Sequence, residues 1–290
     1  MRILLTGAQG QLGRCFKDRL PENWELIATD SQTLNITDAA GVMNMVKNFQ
    51  PDAVVNAAAY TAVDKAESEH DKAFQINAIG THNLAAAAQA VGAKFVHVST
   101  DYVFAGHAKT PYMETDAPEP TGVYGKSKLA GELLALAANP NSMVIRTAWV
   151  FSEYGNNFVK TMLRLAKDRD TLNVVDDQIG NPTYAGDLAQ AIIDALKLPN
   201  FPIGLYHYCG DKSVSWCDFA RAIFQTAAQS GHDFRSPTTN GIATSEYPTP
   251  AARPPYSVMS CDKIKSYGLK VSDWQAALNK IVLALLSESM

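Results

Sequence analysis

Arg2-Ile-Leu-Leu-Thr6 is a short apolar run that stops at three evenly spaced glycines, in Gly7-Ala-Gln-Gly10-Gln-Leu-Gly13. The chain continues as Arg14-Cys-Phe-Lys-Asp-Arg-Leu20, with helical spacing of its apolar residues. A strand, a glycine turn and a helix therefore follow one another. The glycines serve three physical ends, since one allows a tight turn, one lets backbone approach a pyrophosphate closely, and one lets helix pack tightly on strand. Phosphates would sit at the helix N-terminus, where backbone N–H groups and the helix dipole favour negative charge. The bland alternative is a glycine-rich loop that binds nothing; its place between a first strand and a helix argues for the ligand.

Working outward, Glu25-Leu-Ile-Ala-Thr29 reads as a second strand that delivers Asp30 to its end, suited to accept hydrogen bonds from an adenosine ribose diol. Ser31 follows where an arginine would favour a 2′-phosphate, which leans toward NADH over NADPH, although Arg14 offers another phosphate partner. Asn35-Ile36-Thr37-Asp38 reads as a loop and helix cap, with Thr37 or Asp38 the capping residue. Pro51–Asn56 is a third strand, and the small residues Ala57, Ala58 and Ala59 beyond it would let a cofactor lie against backbone. Residues 73–90 read as one long helix, with Asn77 a polar residue that helps hold the site. Lys94–Thr100 is the next strand; it presents Ser99, Thr100 and Asp101 at the end where parallel sheets bind ligands, while His97, mid-strand in apolar company, reads as core. The pattern predicts an α/β protein. Residues 1–150 would form a Rossmann-like, doubly wound parallel sheet that binds a dinucleotide, and 151–290 a smaller substrate-binding lobe, some of whose segments can return to the sheet.

Tyr124-Gly-Lys-Ser-Lys128 supplies chemistry. On a helix, Tyr124 and Lys128 share one face, so an ammonium would stand near a phenol and draw its pKa down from about 10. Such spacings also arise by chance; Tyr208-Cys-Gly-Asp-Lys212 is a second, whose Gly-Asp reads as a turn. The glycine turn, the Thr100 hydroxyl and the Tyr124/Lys128 pair agree on carbonyl reduction. Tyr124 would protonate the oxygen, Lys128 would lower the phenol pKa and hold the nicotinamide ribose, and Thr100 would polarise the carbonyl.

The G-x-x-G-x-x-G spacing resembles that of extended short-chain dehydrogenases/reductases. Val55–Glu67, Ser99-Thr-Asp-Tyr-Val-Phe104, Tyr124–Lys128 and Gln178-Ile-Gly-Asn-Pro-Thr183 further resemble the dTDP-4-dehydrorhamnose reductases, over nearly the whole chain. That resemblance implies reduction of the 4-keto group of dTDP-4-dehydro-6-deoxy-L-mannose with NADH or NADPH, yielding dTDP-L-rhamnose for bacterial surface polysaccharide. It implies that Gly7, Gly10, Gln11, Leu12, Gly13, Asp30, Asn35, Ile36, Ala57, Ala58, Ala59, Tyr124 and Lys128 meet the cofactor. Thr100, Asp101, Trp149 and Arg253 would meet the substrate, Arg253 by pairing with its diphosphate, although a surface arginine in a proline turn is the plain alternative. Related dehydratases carry Asp-Glu after the catalytic Thr; Tyr102 stands at the Glu position here, which favours simple ketone reduction. Members of the family can form a magnesium-linked dimer through acidic residues, one of them at the position of Cys15. A thiol is a poor magnesium ligand beside a carboxylate, so no metal is expected.

Bulk properties agree. A chain of 290 residues with 47% hydrophobic composition suits one large α/β domain or a domain with an appended lobe. A net charge of −4 without basic runs gives no pull toward nucleic acid or anionic membrane, so the expected partner is a small nucleotide sugar, bound by a monomer or homodimer. No stretch reads as a signal peptide or membrane span, which predicts a cytoplasmic protein. The four cysteines and six histidines lack metal or disulfide spacing. Rival functions are another nucleotide-sugar 4-ketoreductase or epimerase, and a non-catalytic regulatory subunit.

Overall fold

The apolar runs of the first half become strands of a parallel sheet, the inner ones buried on both faces and the edge strand at 25–29 partly open to solvent. In the computed structural model, which describes residues 1–231 and 234–287, Arg2–Thr6 (β1), Glu25–Thr29 (β2), Ala53–Asn56 (β3), Lys94–Thr100 (β4) and Ser142–Thr147 (β5) join Gly204–His207 in a six-stranded parallel sheet. The order is 204–207, β5, β4, β3, β1, β2. The chain thus leaves β1 for β2 on one side and returns across β1 to β3, which makes the carboxyl ends of β1 and β3 the switch point where a crevice opens.

Alternation along β1 divides two helical layers. Ile3 and Leu5 pack with Leu12 and Phe16 of Gln11–Asp18 (α1) and with Leu188 and Ile192 of the helix Ala185–Lys197. Leu4, pointing the other way, packs with Val42 and Val46 of Ala39–Phe49 (α2) and with Leu84. Asp38 caps α2, accepting from the N–H groups of Ala40 and Gly41 at 3.1 Å each. The expected long helix is present but uneven: His70–Phe74 runs through a π turn, Gln75–Gly80, into Thr81–Ala90.

After residue 150 the chain serves both parts of the molecule. The helix 185–197 and the sixth strand belong to the sheet, while Phe151, Val159, Leu163, Phe219, Trp274 and Leu278 build a separate core. Around that core lie Phe158–Ala166, Trp216–Gln229 and Trp274–Ser287, with Thr171–Val175 paired to Thr238–Ile242. Among the described residues no helix is long and apolar enough to cross a membrane.

Candidate active site

A cleft of about 980 Å³ runs along the carboxyl ends of the strands and between the two cores. Of the residues expected to meet cofactor or substrate, all line it except Gly13 and Arg253. Gly7 has φ +71°, and a Cβ there would lie 2.5 Å from Ala57 O, so the turn after β1 and the loop after β3 approach as only glycine allows. Gly13 acts beneath the turn, where a Cβ would run into the backbone of Gly7 and Ala8. No side chain caps α1 at Gly10, so the helix start is open to an anion from the cleft. This cradle fits a dinucleotide pyrophosphate.

Gln11 fastens the glycine turn to the beginning of the lobe: Nε2 donates to Val150 O at 3.3 Å, and Oε1 accepts from Ser152 Oγ and Asn157 Nδ2 at 2.9 Å. Asp30 ends β2 as expected, with Oδ1 accepting from Gln32 N, Thr33 N and the Thr33 hydroxyl. Those bonds, the Thr33 hydroxyl first, hold its carboxyl below the usual range. Asn35 Oδ1 braces the next turn by accepting from Thr37 N, and Ile36 is buried under Gly80. Asn77 bridges the neighbourhood: it accepts from Tyr60 N at 2.8 Å and donates to Tyr60 O and Ser127 Oγ. The π turn that carries Asn77 is thereby tied to the loop after β3 and to the helix Val123–Ala138.

Thr100 closes β4 and donates to Asp101 Oδ1 at 3.0 Å while accepting from Tyr102 N. Burial pushes the Asp101 carboxyl up to about 6, against the lowering effect of hydrogen bonds from Ser257 and Thr100. Tyr124 opens the helix 123–138 and meets Tyr102 edge-on, with ring centroids 5.4 Å apart. Its phenol departs from the expected lowering: withdrawal from water pushes it up to about 12, and a hydrogen bond with Thr100 offsets part of that rise. Lys128 Nζ instead donates to Val98 O at 2.6 Å, and burial brings its pKa down to about 8. A phenol this weakly acidic is fully protonated at neutral pH, the state a proton donor needs.

Trp149 lines the cleft with the unusual φ of +48°, its indole stacked on Trp216 at 3.5 Å between centroids. Gly180 leaves room for that indole, since a Cβ there would lie 2.5 Å from it. Arg253 stands at the seam between the parts, paired with Asp64 at 2.8 Å and 5.9 Å from the Tyr102 ring centroid. Sequence reasoning missed Trp216, Asn56 and Ser257 as members of the neighbourhood. Ser257 lies four residues past Arg253, at the end of the proline turn; nothing local to Trp216 announces its partner. Cys15 is buried and its thiol is pushed up to about 12 by burial; among the described residues no group of three or more His, Cys, Asp or Glu is arranged to hold a metal ion.

The model of the family described as RmlD substrate binding domain matches residues 1–287. A dTDP-4-dehydrorhamnose reductase of Aggregatibacter actinomycetemcomitans is 48% identical over 287 residues, covering 97% of this chain and 98% of the relative. The chain belongs to the dTDP-4-dehydrorhamnose reductase family. Solved structures of the family agree in detail of fold. The reductase of Clostridium acetobutylicum superposes with TM-score 0.93 at 43% identity, over 98% of this chain and 99% of that one. The reductase of Bacillus anthracis, solved in complex with NADP, gives TM-score 0.92 at 39% identity over the same shares.

Proposed function

We propose that this protein reduces the 4-keto group of dTDP-4-dehydro-6-deoxy-L-mannose to dTDP-L-rhamnose with NADH or NADPH, for cell-surface polysaccharide. The observation that carries the reading is the meeting of Tyr124, Lys128 and Thr100 in one cleft with the glycine turn. Family membership supports the same substrate. The reduced nicotinamide supplies hydride to C4 when bound. Tyr124 gives its phenolic proton to the carbonyl oxygen as that oxygen gains charge, and the phenolate left behind is reprotonated from solvent. Thr100 lines the same cleft, and turning its hydroxyl away from Asp101 Oδ1 lets it donate to the same oxygen. Lys128 steadies the ribose and the transient phenolate with its positive charge. Asp101 orients Thr100, and Trp149 offers its indole face to the sugar. Gly7, Gly10 and the start of α1 hold the pyrophosphate, and Asp30 accepts from the adenosine ribose.

The test follows loss of the reduced nicotinamide's absorbance with the 4-keto sugar nucleotide, using NADH and NADPH in turn, for wild type beside Tyr124→Phe. Turnover should fall by about 10²–10⁴-fold in the variant with sugar-nucleotide binding retained. Undiminished turnover in Tyr124→Phe would remove the phenol from its role; folded wild type that binds the sugar nucleotide but turns over with neither cofactor would remove the activity.

A further inference from the structure

His97, in the middle of β4, has no exposed surface, and the chemistry above gives it no part. Its ring nevertheless meets polar groups on both sides. Nδ1 lies 3.1 Å from Asn56 Nδ2, and Nε2 lies 3.4 Å from Lys128 Nζ. Asn56 decides which ring nitrogen carries the hydrogen. Its Oδ1 accepts from the backbone N–H of Ala58 at 3.1 Å, and a backbone N–H can only donate, so the nitrogen end of the amide faces His97. That Nδ2 gives one hydrogen to Thr81 Oγ1 at 3.2 Å, whose own hydrogen goes to Asn77 O. The other goes to His97. An amide nitrogen accepts nothing, so Nδ1 is bare and the neutral ring holds its hydrogen on Nε2. Burial and the nearby Lys128 charge both keep the ring neutral.

The Nε2–H bond therefore points at Lys128, whose ammonium has three donors and no acceptor. Donor faces donor. The strand offers the ammonium Val98 O, and His97 denies it a second acceptor on that side, so its other N–H bonds are left for the cleft that Lys128 lines. The other charges nearby act differently. Glu132, one turn along the helix, favours the ammonium, but its carboxylate is shared with Arg146 of β5 at 2.7 Å and with Ser99 Oγ. Tyr124 on the same helix is protonated, Asp101 is engaged by Thr100 and Ser257, and the helical run 70–90 presents the uncharged Asn77 and Thr81.

We propose that His97, locked by Asn56 as its Nε2–H tautomer, is a positioning residue for Lys128: it disfavours the ammonium on the strand side and turns its hydrogens toward the cleft. The catalytic consequence rests on the role given to Lys128 above; the tautomer lock does not. Because burial and the facing N–H act in the same direction on Lys128, activity that needs the ammonium is present below about pH 8 and is lost as pH rises through that value.

Two measurements test this on the full chain. ¹⁵N NMR of histidine-labelled protein reads the tautomer without substrate, the His97 signals being assigned by their loss in His97→Phe or His97→Gln. The Nε2–H form is expected in wild type, and a shift toward Nδ1–H in Asn56→Asp, whose carboxylate accepts from that nitrogen. A wild-type Nδ1–H form overturns the proposal whether or not the protein is a reductase. In the pH profile of kcat/KM, the alkaline limb should move up by about half a unit or more in His97→Phe, as the facing N–H is removed. A folded, active His97→Phe whose alkaline limb stays in place would reduce His97 to a packing residue and overturn its effect on Lys128.

Discussion

The nucleotide half and the lobe are held together by different kinds of contact. In the nucleotide half, parallel strands lie in register and a buried ion pair ties strand to helix: Arg146 of β5 reaches Glu132, fourteen residues earlier, at 2.7 Å, with both side chains nearly sealed from water. Where the lobe joins the sheet, strands shrink to residue pairs such as Val150–Phe151 and Thr183–Tyr184, and joining contacts reach far along the chain. Arg253 and Asp64 are 189 residues apart and partly open to solvent. The two parts thus differ in how much water their charges see, and that difference sets what each contact is worth.

Substitutions can break the contrast in order of size. Glu132→Ala leaves the Arg146 guanidinium buried without its carboxylate, and urea unfolding should register a loss of about 3–5 kcal/mol; a loss below about 1 kcal/mol would mean that the half is less dry than its geometry. Trp216→Leu removes the aromatic partner of Trp149 at the joint. It should cost about 0.5–1.5 kcal/mol of aromatic pairing and raise KM for the sugar nucleotide more than it lowers kcat. An unchanged KM would detach the stack from the substrate pocket. Asp64→Asn, at the exposed seam, should shift stability by less than about 1 kcal/mol, in a manner that salt screens. A cost comparable to that of Glu132→Ala would erase the distinction.

The same contrast explains what reading the chain could and could not supply. β1 to β4 announced themselves because each is a local run with its turn or cap attached, and the glycine spacing is a local backbone requirement. The sixth strand escaped notice: Gly204–His207 is four residues long and gains its identity only from β5 beside it. The helix read at 73–90 was visible through its alanine face, but the π turn inside it depends on Asn77 reaching Tyr60 and Ser127. His97 looked like core and is core; its polar partners arrive from 41 and 31 residues away. Lys128 was expected to act on the phenol one turn before it. Its resting bonds instead go to the strand across from it, because a buried ammonium takes the nearest carbonyl.

The stacked indoles also give the molecule an optical property. Trp149 packs against both cores, and Trp216 begins a helix of the lobe. Two such chromophores lying face to face, 7° from parallel, share their excited states, so light absorbed by one is not emitted as it would be by either alone. A small slide of the lobe over the sheet would separate those states. The protein thus carries its own gauge of how lobe and sheet are seated on one another, readable in near-ultraviolet dichroism without any added label.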